Sequence, residues 1–180
     1  MYMKYRCSYL ICCVVVLSFH SSCVSNNYNK QLFSNPITFP DSLYIIEGSK
    51  QKAMDPNKYT LVVYVDSSEC CVCKIRNVKK FNKIAESYHH NIIVLASPSK
   101  NDIEILKQEL LYEKCEYPVY IDLKNTFNEI NQIPEDKRAH TFIIDDTLLP
   151  IHVGDPTTNI MQRVLFKLML LRTMDGSNYE

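Results

Sequence analysis

The chain reads as an α/β protein in which helices sandwich a mixed central sheet. Two runs rich in β-branched and aromatic residues, Tyr59 to Val65 and Ile92 to Ala96, have the make-up of buried strands. Each leads into a segment whose apolar residues recur at three- and four-residue steps, the mark of one helix face. The order then ends on a strand pair within 142–153 and a last helix. Strands alternating with helices and closing on a hairpin imply both parallel and antiparallel pairs in one sheet.

Residues 1–22 have the layout of a secretory signal peptide. Lys4 and Arg6 lie near the start, Leu10 to Phe19 form an apolar core, and Ser21-Ser22 precede Cys23. That core is well short of the roughly 20 residues that span a bilayer. The ending resembles a bacterial lipobox, with His20 where such boxes usually carry an aliphatic residue. The resemblance implies a lipoprotein signal peptide at 1–22 and a lipid on Cys23; simple cleavage and an uncleaved anchor are the alternatives. No acidic residue directly follows Cys23, which by resemblance to sorting signals implies an outer-membrane protein facing the periplasm. Residues 23–36 are polar and turn-rich, as suits a lipid-anchored tether, and the folded domain is expected over 37–175. Removal of 1–22 takes Lys4 and Arg6, leaving 18 basic against 20 acidic side chains and a net charge of −2 on 158 residues. That length fits one domain, and the balance is not that of a nucleic-acid binder.

The elements follow in order. Ile37 to Ile46 is an edge-strand candidate interrupted by Pro40 and Asp41-Ser42, and Lys50 to Lys58 forms a turn into the Tyr59 strand. The first helix buries Val72, Ile75, Val78, Phe81, Ala85 and Tyr88 and fades near His89-His90. Ile92 to Ser97 is a strand closed by Pro98, after which Ser99 or Asn101 caps a helix holding Ile103, Leu106, Leu110 and Leu111. Tyr117 to Asp122 is a short strand and 125–130 a short helix. Phe142 to Asp145 and Leu148 to Val153 form a hairpin around Asp145-Asp146-Thr147, where Pro150 implies an edge or a bulge. Asp155-Pro156 starts the last helix, which buries Ile160, Val164, Leu165 and Leu168.

Of eight cysteines, Cys7, Cys12 and Cys13 leave with the signal and Cys23 is spent on lipid, so Cys70, Cys71, Cys73 and Cys115 remain. They are too few and too clustered for a disulfide-stapled scaffold. Three of them lie where a strand gives way to a helix. There, unpaired amides and the helix dipole favour thiolate over thiol. Cys70 and Cys73, three apart on one side of the first turn, can form a disulfide; Cys71 points elsewhere. Cys115 reads as a small core or surface thiol, with a regulatory disulfide as the alternative.

The order of strand, Cys70-x-x-Cys73, strand, helix, Tyr117-Pro118-Val119, Thr141-Phe142-Ile143-Ile144-Asp145 with its hairpin and a final helix resembles the thioredoxin-like fold. It is similar to extracytoplasmic proteins of the TlpA and peroxiredoxin-related type and to thioredoxin-like lipoproteins of Bacteroidetes, over about 58–172. The resemblance implies that Cys70 attacks substrate disulfides and Cys73, one turn in and more covered, resolves the mixed disulfide. It also implies extracytoplasmic protein thiols or disulfides and a membrane electron donor as partners, with no cofactor and no resident metal. Two positions depart from the pattern. Glu69 replaces the aromatic residue that usually precedes the first cysteine, and its charge is expected to raise the thiol pKa. Arg138-Ala139-His140 occupies the stretch where relatives carry a cis-proline. His140 is a candidate for proton transfer there; the plain alternative is an exposed loop histidine.

Three functions stay open at this point: a membrane-anchored thiol–disulfide oxidoreductase, a soft-metal binder using Cys70, Cys71 and Cys73, and an interaction module without redox activity. A peroxidase is disfavoured because no Thr-x-x-Cys precedes Cys70. Three glycines exclude a phosphate-binding glycine loop, and no Ser-His-Asp or paired-carboxylate pattern stands out. Lys74, Arg76, Lys79, Lys80 and Lys83 read as a solvated helix face, and His89-His90 lie too far down the helix to join the cysteines.

Overall fold

Side-chain alternation sorts the core onto the two faces of one sheet in the computed structural model, which describes residues 35–50, 59–77 and 90–176. Expectations for the signal peptide, Cys23 and most of the tether, for 51–58, and for Val78, Phe81, Ala85, Tyr88 and His89 lie outside the described residues. So do those for Lys79, Lys80 and Lys83. The strands are β1 (Tyr44–Ile45), β2 (Thr60–Val65), β3 (Asn91–Ala96), β4 (Val119–Ile121), β5 (Thr141–Ile144) and β6 (Pro150–Val153). The helices are α1 (71–77 as described), α2 (Asp102–Glu113), α3 (Thr126–Asn131) and α4 (Ile160–Gly176), with a 3-10 turn at Lys137–Ala139. Among the described residues the six strands form one mixed sheet, ordered β1-β4-β3-β2-β5-β6. β3 pairs parallel with β2 and β4, while β5 runs antiparallel to β2 and β6, and β1 to β4.

Leu61, Val63, Val65, Ile92, Val94, Ala96, Val119 and Ile121 face one side, under Cys71 and Ile75 of α1, Leu106 and Leu110 of α2 and Phe166 of α4. Val62, Tyr64, Ile93, Leu95, Phe142 and Ile144 face the other, against Phe127 of α3, Ile37, Ile133 and Ala139. Every residue of β2 and β3 is buried, which is why both read as unbroken apolar runs rather than alternating ones. The Tyr117 hydroxyl donates to the Ile75 carbonyl at 2.9 Å and ties α1 to the entry of β4.

Five expectations change. The strand expected over 37–46 shrinks to Tyr44–Ile45, because a turn closes from the Leu43 amide to the Pro40 carbonyl; Ile37 instead bonds to Leu148 in the hairpin. For α2, the Asn101 side chain makes no cap, and the Ser99 carbonyl accepts from the Asp102 amide. Leu106 and Leu110 are buried as expected, but Leu111 is exposed. The last helix begins at Ile160, not at Asp155-Pro156, and the Asn159 carboxamide oxygen receives the Gln162 amide at 2.8 Å as its cap. Its expected buried stripe is exposed, with Ile160 at 77%, Val164 at 46%, Leu165 at 40% and Leu168 at 55%, while Phe166 is the residue driven into the core. The run Ile160 to Leu171 is apolar almost all round, so its periodicity does not single out one face. The hairpin is as expected: β6 is an edge strand opening at Pro150, and the register shifts at Ile143/Ile144.

Candidate active site

Topology gathers three loops at one end of the sheet. β5 starts where β2 ends, with Val63 opposite Thr141, and the Tyr64 amide extends that ladder by donating to the His140 carbonyl at 2.8 Å. β6 returns antiparallel to β5, and the Gly154 amide donates to the Thr141 carbonyl at 2.8 Å. The loop after β2, the loop before β5 and the loop after β6 therefore meet, bringing Glu69, His140 and Asp155 together from distant parts of the chain.

Within the first loop, Asp66 caps a turn: its carboxylate accepts from the Ser68 amide and hydroxyl, both at 2.6 Å. Burial pushes the Asp66 carboxyl up, but these hydrogen bonds and the charges of His140 and Lys137 hold it below its ordinary value. The turn delivers Cys70 to the N-cap of α1. The Cys70 carbonyl accepts from the Lys74 amide at 3.0 Å, and its sulfur accepts from the Cys73 amide at 3.2 Å. Cys70 and Cys73 are joined by a disulfide with Cα atoms 5.3 Å apart, and both residues are exposed. Cys73 is thus exposed, as Cys70 is, contrary to the expectation of partial cover.

Cys71 turns inward and is buried against the sheet. Burial, with the negative charges of Asp102, Glu69 and Asp66, pushes its thiol up to about 11. Cys71 packs into the core while Cys70 and Cys73 are exposed and joined to each other, and the three sulfurs do not form a converging ligand set among the described residues, so the soft-metal reading through Cys70, Cys71 and Cys73 fails on geometry. Cys115 is half-buried and donates to the Tyr117 carbonyl.

The site charges are paired. His140, at 2% exposed, is not a loop-surface histidine. Its Nδ1 lies 2.7 Å from Glu69 Oε1 and 4.0 Å from Asp66 Oδ2, its Nε2 lies 2.9 Å from the Pro134 carbonyl, and its ring meets that of Tyr64 edge-on at 5.0 Å. Lys74 does not join a solvated face: its Nζ donates to Asp155 Oδ2 at 2.6 Å and lies 4.0 Å from Glu69 Oε2. Glu69 is consequently a compensated carboxylate and not the free charge beside Cys70 that the sequence implied. Lys137 reaches from the 3-10 turn to the Ser68 carbonyl at 3.5 Å. Among the described residues no peptide bond is cis. Ligand atoms of Asp66, Glu69 and His140 lie within 4.8 Å of one another, the set that could hold a metal; the Glu69–His140 hydrogen bond spans two of them. His90 is buried against Tyr59 before β3, at the opposite end of the sheet.

Sequence reasoning found Cys70, Cys73, Glu69 and His140. It missed Asp66, Lys74, Pro134 and Asp155. Asp66 directly follows a strand and Asp155 a hairpin, signals that mark loop ends; nothing local says that those loops meet.

No protein-family model and no curated protein matches the chain. Among solved structures, it is similar to an uncharacterized thioredoxin-like protein from Porphyromonas gingivalis, with TM-score 0.56, 17% identity, and 82% of this chain and 97% of the other covered. It is also similar to thioredoxin peroxidase I of Plasmodium yoelii, with TM-score 0.53, 12% identity and coverages of 82% and 93%. AhpC of Mycobacterium tuberculosis matches at TM-score 0.50 and 18% identity, over 83% and 99%.

Proposed function

We propose, from the premise that this chain has the thioredoxin-like fold, that it is a thiol–disulfide oxidoreductase anchored outside the cytoplasm. The observation that carries the reading is the exposed Cys70–Cys73 disulfide at the N-cap of α1, where the Cys70 sulfur already accepts an amide hydrogen from Cys73. On reduction that amide and the helix end stabilise a thiolate at Cys70. The Cys70 thiolate attacks a substrate disulfide, forming a mixed disulfide and releasing one substrate thiolate. The Cys73 thiolate then attacks the Cys70 sulfur, re-forming the disulfide and releasing the second. Cys71, buried with its thiol neutral, takes no part.

The basic start, short apolar core and Ser21-Ser22-Cys23 support a lipid anchor at Cys23, a place at the outer membrane facing the periplasm, protein thiols or disulfides there as substrates, and a membrane donor of electrons. The test is a trapping experiment. Cys73→Ser should accumulate covalent adducts that reductant removes, Cys70→Ser should accumulate none, and Cys71→Ser should behave as the parent. Failure to trap any partner, together with no reversible two-electron couple in a reduction-potential titration, would leave the interaction module. Unchanged membrane association and lipid labelling in Cys23→Ala would sink the anchor.

A further inference from the structure

Hydrogen positions at the Glu69–His140 contact are constrained more tightly than the distances alone show. A carbonyl only accepts, so the Nε2 atom facing the Pro134 carbonyl at 2.9 Å carries a hydrogen. Nδ1 and Glu69 Oε1, 2.7 Å apart, must share another, because two facing lone pairs in a buried site would leave both atoms unpaired. Either an imidazolium donates to a carboxylate, or a protonated Glu69 donates to a neutral ring. In both arrangements one proton is shared across the contact and the pair has no net charge.

The surroundings favour the first arrangement. Asp66 Oδ2 lies 4.0 Å from Nδ1 on the loop after β2, and Lys74 of α1 lies 4.0 Å from the second Glu69 oxygen while bound to Asp155 of the loop after β6. Lys137 of the 3-10 turn acts on Asp66, and the Tyr64 ring of β2 packs edge-on against the imidazole. Among the described residues the Cys71 thiol, also nearby, is buried. Three carboxylates, Asp66, Glu69 and Asp155, thus meet three cations, His140, Lys74 and Lys137, and the balance holds only with His140 charged.

We infer that Glu69 and His140 form a one-proton lock that removes the Glu69 charge from the neighbourhood of Cys70. His140 is then a positioning residue: it exchanges no proton in the thiol step, and its imidazolium allows a glutamate to precede an attacking cysteine. The significance of the lock rests on the oxidoreductase reading, but its test does not.

The experiment uses the reduced full chain, reading the pH dependence of Cys70 alkylation by iodoacetamide and the protonation of the His140 ring nitrogens by 15N NMR. His140→Gln should bare the Glu69 carboxylate, raise the midpoint of Cys70 by about one unit and slow alkylation at pH 7 about tenfold. Glu69→Gln should shift the rate less than about twofold, because its amide can donate to a neutral ring and the pair stays uncharged. The double variant should return to the parent rate. In the parent at pH 7, both ring nitrogens should carry a hydrogen. A His140 ring nitrogen without a hydrogen at pH 7, or a tenfold faster alkylation in Glu69→Gln alone, would overturn the lock. Should His140→Gln not fold, the parent NMR and the Glu69→Gln rates decide. Absence of any trapped partner would count against the oxidoreductase and leave these readings untouched.

Discussion

Asp155 shows how one side chain is turned from a helix cap into a structural ion. Its Oδ2 receives Lys74 Nζ at 2.6 Å, and its Oδ1 receives the Thr157 amide at 2.7 Å and hydroxyl at 2.5 Å. Burial pushes the carboxyl up, but the Lys74 and Thr157 hydrogen bonds outweigh this and hold it below the ordinary carboxylate value. A depressed folded pKa means stability that is fully present above the unfolded value of about 3.9 and lost as pH falls through the folded one. Asp155→Asn should therefore cost about 1–3 kcal/mol at pH 7, as expected for a charged hydrogen bond lost from a half-buried lysine. The difference should persist to about pH 4 and close below it. Urea unfolding at pH 7, 4 and 3 reads this out, and equal stability at pH 7 would show that Lys74 is satisfied without Asp155.

α4 presents the same chemistry at the scale of an element. Its apolar residues supply several possible stripes, and the sheet accepts the one containing Phe166, which is 1% exposed and packs with Leu61, Val63 and Ile75 in one cluster. Phe166→Ala should cost about 3–5 kcal/mol, the loss of an aromatic side chain plus the cavity it leaves. Leu168→Ala should change stability by no more than about 0.5 kcal/mol, as a surface substitution does. Chemical denaturation of both variants compares them directly. Equal losses would mean that the helix packs with a different face.

For the molecule as a whole, the disulfide contributes little to the fold. It closes only the short ring from Cys70 to Cys73, and neither cysteine belongs to the buried clusters on the two faces of the sheet. Chain-entropy reasoning for so short a loop gives about 2 kcal/mol, small enough for the reduced form to keep its structure. Unfolding of the oxidised protein and of the reduced, alkylated protein should then differ by about that amount, with the same circular dichroism before the transition. Loss of the sheet signal on reduction would make the disulfide a structural staple and argue against its cycling.

By itself the sequence determined what local chemistry writes. The buried parallel strands are legible because β2 after Thr60 and β3 after Asn91 are continuous apolar runs; the hairpin is legible from Asp145-Asp146-Thr147 and the edge position of Pro150. The redox pair is legible because Cys70 and Cys73 are one helical turn apart at a strand-to-helix junction. Tertiary structure decided the rest. The side of α4 that is buried depends on the sheet it meets, and the helix starts at Ile160, past a turn in which Asp155 accepts from the Thr157 amide and from Lys74. The character of Glu69 depends on His140, 71 positions away, and on the Pro134 carbonyl that fixes the ring's hydrogen. Antiparallel pairing of β5 with β2 brings those residues together, and a charge read from its own neighbours in the chain has the wrong environment until that pairing is known.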